Sequence, residues 1–175
     1  MKKFFVGLIL ASVVISVPCI IDAKTKKKTT QKKTSTENVA GLTPLERKIV
    51  GKHMLSLQWL STQYYGTVII KKEADGTFSC QGEQLARNCK DADPECIKND
   101  DYVKLDGTIQ IIDEKNLTFT GDIREKIFHI NNGEEVLRQG TYDFKSTNNR
   151  KYWRMFPVTN PADNCSDYID IYFKR

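Results

Sequence analysis

The chain has 175 residues, of which 39% are hydrophobic and 28% are charged, and its formal net charge is +5. Residues 37–175 contain 19 basic and 21 acidic side chains, so the positive excess belongs to the N-terminal segment. A slightly acidic folded part argues against nucleic-acid binding, which requires a basic face. The remaining length fits one domain, which we expect to be a monomer without a cofactor.

The N-terminus has the layout of a secretory signal peptide over residues 1–23. Two lysines precede an apolar run, Phe4 to Ile21, and the small residue Ala23 follows at a cleavage position. An uncleaved membrane anchor and a lipid-modified Cys19 are the alternatives. We therefore expect export, to the periplasm, the outer surface or the medium.

Residues 24–41 are rich in Lys and Thr and show no apolar periodicity. A segment of this composition cannot bury enough apolar surface to offset the entropy of ordering, so we predict a disordered tether. Any membrane contact is expected only through the leader or this basic tether. The predicted organisation is a signal peptide (1–23), a tether (24–41) and one β-barrel domain (42–175).

The domain begins with one helical signal, "TPLERKIVG". Thr43 suits the N-cap, Pro44 the first helical position and Glu46 the third, which together form a capping box. Gly51 ends the segment. We predict one short helix before the strands begin.

Beyond Gly51 the hydrophobic pattern has a period of two. In "DYVKLDGTIQIIDEKNLTFTGDI" the apolar side chains alternate with polar ones along two segments joined by a polar turn. Such alternation indicates half-buried antiparallel strands. Asn132-Gly133 predicts a type I′ hairpin, since both central residues of that turn need positive φ. We predict an all-β fold: an antiparallel meander of about eight strands that closes into a barrel, with a two-sheet sandwich as the alternative.

Four cysteines remain after the leader is removed, and an even number in an exported chain predicts disulfides. Cys89 and Cys96 bracket a short loop and are the easiest pair to close, which leaves Cys80 with Cys165. Zinc is not expected, because C-x-x-C spacing with partner histidines is missing. Calcium in the acidic loop 91–102 is the weaker alternative to a solvated loop, since the EF-hand glycine and glutamate are missing.

Catalysis is not expected. The two histidines, His53 and His129, lie in predicted strands without a nucleophile motif beside either. The aromatic side chains are the remaining functional signal, and they indicate either a ligand site in the barrel or simple core packing. The candidate ligand-binding residues are Trp59, Tyr142, Phe144 and Trp153.

A short helix, a first strand beginning at glycine ("GKHMLSLQW"), meandering strands and an arginine beside a tryptophan ("KYWRMF") resemble the lipocalin or calycin superfamily. The chain also resembles exported bacterial proteins of an uncharacterised family with "RKYWR" and "DYIDIYF"-like endings. The lipocalin resemblance implies a cup that holds a small hydrophobic ligand. We therefore expect a non-catalytic binding protein, with a surface protein-interaction or inhibitor module as the alternative.

Overall fold

The computed structural model describes residues 41–174, so the predicted signal peptide and nearly all of the predicted tether lie outside the described residues. Eight strands and two short α-helices make up the described part. The strands are β1 (Gly51–Leu57), β2 (Gly66–Lys72), β3 (Phe78–Leu85), β4 (Tyr102–Ile111), β5 (Asn116–Lys126), β6 (Val136–Lys145), β7 (Tyr152–Phe156) and β8 (Ile169–Tyr172). The helices are α1 (Pro44–Ile49) and α2 (Pro94–Lys98), with 3₁₀ turns at Ala86–Asn88 and Asn131–Gly133.

The strands form a closed antiparallel barrel in chain order, because β8 pairs back to β1 through Leu55 and Ile171. This confirms the predicted eight-stranded meander and excludes the sandwich. The connections alternate between two ends of the barrel. The lower end carries α1 and the turns 73–77, 112–115 and 146–151, and the upper end carries the longer loops 58–65, 86–101, 127–135 and 157–168.

The barrel interior is filled by the apolar side chains that alternate along each strand. Phe119 of β5 and Phe144 of β6 are both fully buried, and their ring centroids lie 6.2 Å apart. Aliphatic side chains surround them: Leu55, Val68, Ile70, Leu105, Leu117, Ile123, Met155 and Ile171. Burial of this kind contributes about 25 cal/mol per Å² of apolar surface and stabilises the fold.

Two glycines permit β4 and β5 to approach each other closely at the point where the sheet bends. Gly107 pairs with Gly121 in the register of the two strands. A Cβ on Gly121 would lie 2.3 Å from the carbonyl oxygen of Asp106, and one on Gly107 would lie 2.4 Å from that of Thr120. No side chain fits there, which is a common reason for glycine in small barrels.

Helix α1 confirms the predicted capping box. Thr43 N donates to Glu46 Oε2 at 2.7 Å, and Glu46 N donates to Thr43 Oγ1 at 3.2 Å. Lys72 at the end of β2 pairs with Glu46 at 2.8 Å, and Lys48 pairs with Glu114 of the β4–β5 turn at 2.8 Å. These contacts hold α1 across the lower end of the barrel.

The predicted two-residue hairpin at Asn132-Gly133 is wrong, because nine residues, 127–135, connect β5 to β6. The two residues do have positive φ, 55° and 77°, but they shape a 3₁₀ turn within that loop. The ladder ends early because the backbone N–H of Phe128 donates to the carboxylate of Asp101 at 2.9 Å instead of to a strand.

Candidate functional site

A buried ionic cluster lies inside the upper end of the barrel. Arg138 of β6 donates from Nη2 to Glu125 Oε1 of β5 at 2.8 Å, and also to Asp167 Oδ2 of the 157–168 loop. The three side chains are at most 2% exposed. We refer to Arg138, Glu125 and Asp167 as the ionic cluster.

Neighbouring loops add neutral donors to the ionic cluster. Asn160 Nδ2 donates to Glu125 Oε1, and Trp59 Nε1 donates to Asp167 Oδ1 at 2.8 Å. The cluster therefore joins two strands to two upper loops. Within residues 41–174, Glu125 Oε2 and Arg138 Nε have no hydrogen-bond partner, so the buried network is incompletely satisfied.

The ionic cluster has two carboxylates for one guanidinium. Burial raises the pKa of Glu125, and the charge of Arg138 only partly offsets that increase. Cys165 lies beside the cluster, 3.5 Å from Asp167 Oδ1. Burial and the neighbouring carboxylate of Asp163 raise the pKa of Cys165 to about 12, so the thiol stays protonated and is a weak nucleophile.

The two histidines lie at opposite ends of the barrel. His53 is buried near the lower end, with Nδ1 2.8 Å from the carbonyl oxygen of Tyr172 and Nε2 2.6 Å from that of Ile49. His129 is exposed in an upper loop, and its ring packs edge-on against Trp59 with centroids 5.3 Å apart. Neither histidine is held between a nucleophile and a carboxylate as a catalytic base would be.

Across residues 41–174, the His, Cys, Asp and Glu side chains form no group of three or more that is placed to hold a metal ion. The same part of the chain contains no helix with the length and apolar character needed to cross a membrane.

The four candidate ligand-binding residues do not meet in one cavity. Trp59 is at the upper end, whereas Trp153 is buried near the lower end and donates to a backbone carbonyl of the β4–β5 turn at 3.0 Å. Phe144 packs against Phe119 in the core, and Tyr142 is half-buried two residues earlier on β6. Three of the four are thus engaged in packing or hydrogen bonds that support the fold.

All four cysteines of the described chain are free thiols in this structure, so the predicted Cys89–Cys96 and Cys80–Cys165 disulfides are not formed in it. Cys80 faces the interior near the lower end of β3, whereas Cys165 lies in an upper loop. A bond between those two would need the backbone to move, because bridged Cα atoms lie within about 7 Å of each other.

The first predicted pair has more favourable surroundings. Cys89 and Cys96 both direct their sulfur atoms at backbone carbonyls of the 58–65 loop, at 3.6 Å and 3.7 Å. Burial and the carboxylate of Asp101 raise the pKa of Cys96 to about 12, and the neighbouring Cys89 makes a smaller contribution in the same direction, so the two thiols lie near each other. A Cys89–Cys96 bond stays a prediction.

An apolar groove opens at the lower end, between α1, the 73–77 turn and the adjoining ends of β3 and β4. Its volume is about 660 Å³. Leu45, Phe78, Ile109 and Ile111 supply its apolar lining, and Glu46 with Thr and Gln side chains supplies its polar lining. We call this feature the lower groove. Sequence reasoning missed it because its walls come from a helix, a turn and three strands that only the closed barrel brings together.

Comparison with known proteins identifies relatives of the chain. A model of the PM1083 family matches residues 26–173. A similar protein of Pasteurella multocida (strain Pm70), named "Uncharacterized protein PM1083", is 36% identical over 132 residues, which cover 75% of this chain and 78% of that protein. No solved structure matches the chain significantly. These comparisons show the PM1083 family and no lipocalin or calycin family; the closed barrel is consistent with the expected architecture.

Proposed function

The chain belongs to the PM1083 family, and we propose that it is an exported, non-catalytic binding protein that holds a small hydrophobic molecule in the lower groove. The single observation that supports this function is the concave apolar opening beside α1. Its volume, about 660 Å³, lies within the range of small-molecule sites.

Because side chains fill the interior, we expect the ligand to bind in the groove and not along the barrel axis. Phe119 and Phe144 are fully buried and pack together inside the barrel, and the ionic cluster occupies its upper end. A molecule that enters from below would therefore pack against Phe78 and Ile109 of the groove. Thr43 and Thr77, which also line the groove, can hydrogen-bond a polar head of the ligand.

The chain offers a matched pair of residues for testing this site. Ile111 lines the lower groove, whereas its neighbour Ile112 does not line it and is 55% exposed. N-phenyl-1-naphthylamine, a neutral apolar dye, gains fluorescence in a dry apolar site. We expect the dye to bind the natural protein and the Ile112→Asn variant, and to bind the Ile111→Asn variant about tenfold more weakly or not at all.

Leu45→Asn, on the opposite wall of the groove, is the second variant, and thermal unfolding verifies that each protein is folded. Equal dye binding by the Ile111 and Ile112 variants would refute the site. Native mass spectrometry of protein purified from its own host gives an independent measure, since a co-purified lipid-like mass supports carriage and a bare chain mass counts against it.

The filled interior also favours the second candidate function, a surface module that recognises a protein partner. That candidate requires an ordered and exposed recognition surface, and the exposed rings of Tyr65 and Tyr168 beside β8 support it.

A further inference from the structure

Four tyrosines and one arginine lie together on the outer surface of the barrel, where β8 pairs with β1 and β7. The ring centroids of Tyr65 and Tyr172 are 5.0 Å apart, and those of Tyr172 and Tyr152 are 5.2 Å apart. The guanidinium of Arg154 lies 5.3 Å from the ring centroid of Tyr152 and 4.0 Å from that of Tyr168. We call these five residues the tyrosine face.

The tyrosine face is ordered by a bidentate ion pair beneath it. Arg154 lies opposite Asp170 in the β7–β8 register, and its Nε and Nη2 donate to the two oxygens of that carboxylate, each at 2.7 Å. Bidentate pairs fix orientation as well as charge. Tyr65 and Tyr168 nevertheless remain 37% and 39% exposed, so the face presents rigid aromatic area to solvent.

Uncompensated positive charge borders the tyrosine face. Lys52 extends from the outer side of β1 and lines a groove of about 460 Å³ together with Tyr65. Arg150 lies 5.6 Å from the ring centroid of Tyr152, and Lys151 is exposed beside it. In the described part of the chain, none of these three cations forms an ion pair. This edge is therefore positive on a domain whose net charge is slightly negative.

The tilt of the rings indicates which class of partner fits. Tyr65 and Tyr152 are inclined to Tyr172 by 63° and 49°, so the rings form clefts rather than a flat platform. A flat sugar ring stacks best on a flat platform, whereas clefts between aromatic rings accept the side chains of an extended peptide. Tyrosine and arginine are also the residue types that dominate protein-recognition hot spots.

We propose that the tyrosine face binds an extended acidic segment of a partner protein. The aromatic clefts hold the apolar side chains of that segment, and Lys52, Arg150 and Lys151 attract its carboxylates. This site is on the outer wall and is separate from the lower groove, so either proposal can fail without the other.

The test uses peptides that differ only in charge. Isothermal titration calorimetry measures the affinity of the protein for alternating Glu-Pro, Gln-Pro and Lys-Pro peptides of equal length. Polygalacturonate is included as an acidic glycan probe. Proline keeps the peptides extended and soluble. We expect the Glu-Pro peptide to bind tightest, the Gln-Pro peptide to bind about tenfold more weakly, and the Lys-Pro peptide not to bind, with the Glu-Pro affinity decreasing as salt rises.

Variants locate the binding. Replacing both Tyr65 and Tyr168 by Ala should weaken Glu-Pro binding at least about tenfold, since hot-spot rings behave this way. Leu137→Ala, which removes a 42% exposed side chain from β6, is the matched control and should bind like the natural protein. Lys52→Ala should reduce the salt dependence without changing the thermal midpoint.

Three results would overturn the proposal. They are tighter binding of polygalacturonate than of the Glu-Pro peptide, unchanged binding by the tyrosine double variant, and an equal loss in the Leu137→Ala control. If the double variant fails to fold, Tyr65→Ala and Tyr168→Ala are measured singly. Weaker Glu-Pro binding by either folded variant than by Leu137→Ala supports the proposal, and unchanged binding by both refutes it.

Discussion

Replacing Arg138 by Met isolates two carboxylates inside the barrel and tests whether the ionic cluster stabilises the fold. Glu125 and Asp167 would keep their hydrogen bonds from Asn160 and Trp59, but both would lose the guanidinium. Methionine retains most of the arginine's aliphatic volume, so the effect reports charge rather than a cavity.

The expected loss of unfolding free energy follows from the distance between the charges. At 2.8 Å and an effective dielectric constant of about 20, one guanidinium–carboxylate attraction is about 6 kcal/mol. Part of this is offset because the buried guanidinium no longer has to be desolvated. The free energy of unfolding should therefore decrease by about 3–5 kcal/mol, and the thermal midpoint by about 10–20 °C.

Urea denaturation followed by tryptophan fluorescence measures the change, and Glu125→Gln is the control. That variant keeps the acceptor for Arg138 and removes one negative charge from the cluster, so its stability should stay within about 1 kcal/mol of the natural protein. If the stability of the Arg138→Met variant also stays within about 1 kcal/mol of the natural protein, the reasoning is refuted.

The pH dependence of the Arg138→Met variant gives a second readout. Burial raises the pKa of Glu125, and loss of the arginine charge raises it further. A native carboxyl with a raised pKa binds more protons than the unfolded chain, so the variant gains stability as pH falls from 7 towards 4.5. The difference in unfolding free energy between the variant and the natural protein should therefore decrease over that range. A constant difference would indicate that the loss comes from packing.

Three further predictions concern other parts of the barrel. Gly121→Ala should lower the free energy of unfolding by about 1–3 kcal/mol more than Gly140→Ala, as urea titration can verify. Both glycines have a positive φ, 157° and 156°, but an added Cβ meets Asp106 O at 2.3 Å only at Gly121 and nothing nearer than 3.9 Å at Gly140. Burial lowers the pKa of His53, so stability should fall as pH decreases from 7 through its ordinary value of 6.5, and this slope should vanish in His53→Gln. After oxidation of the purified protein, its intact mass should lie two hydrogens below the reduced mass, because of the described cysteines only Cys89 and Cys96 lie close enough to bond, and a loss of four hydrogens would contradict this.

The fold was largely predictable because period-two alternation specifies which side chains face inwards on every strand. The capping box at Thr43 was predictable for the same local reason. The short helix α2 was not predicted, although Asp93 followed by Pro94 is an N-cap signal that would have indicated it. The 127–135 loop was mispredicted because the competing hydrogen bond from Phe128 to Asp101 is a tertiary contact between distant segments.

Two members of the ionic cluster can be recognised in the sequence as charged residues on apolar strand faces. In β6, Arg138 falls in the alternating set that contains Val136 and Phe144, and in β5, Glu125 falls in the set that contains Ile123. Because a buried charge is costly unless it is paired, opposite charges on the inward faces of two neighbouring strands predict a buried ion pair. Asp167 carries no such signal, because it lies in a loop whose path only the closed barrel determines.

The positions of the large side chains decide where this barrel can bind anything. An eight-stranded barrel is just wide enough for its own side chains. Here Phe119 and Phe144 are fully buried inside it, and Arg138 with its carboxylates is buried at the upper end. Opening the axis would remove core packing and separate buried charges, at a combined cost close to the whole stability of a typical domain. Recognition is therefore expected at the lower groove and on the outer wall, where the fold leaves apolar and aromatic surface exposed without needing to rearrange.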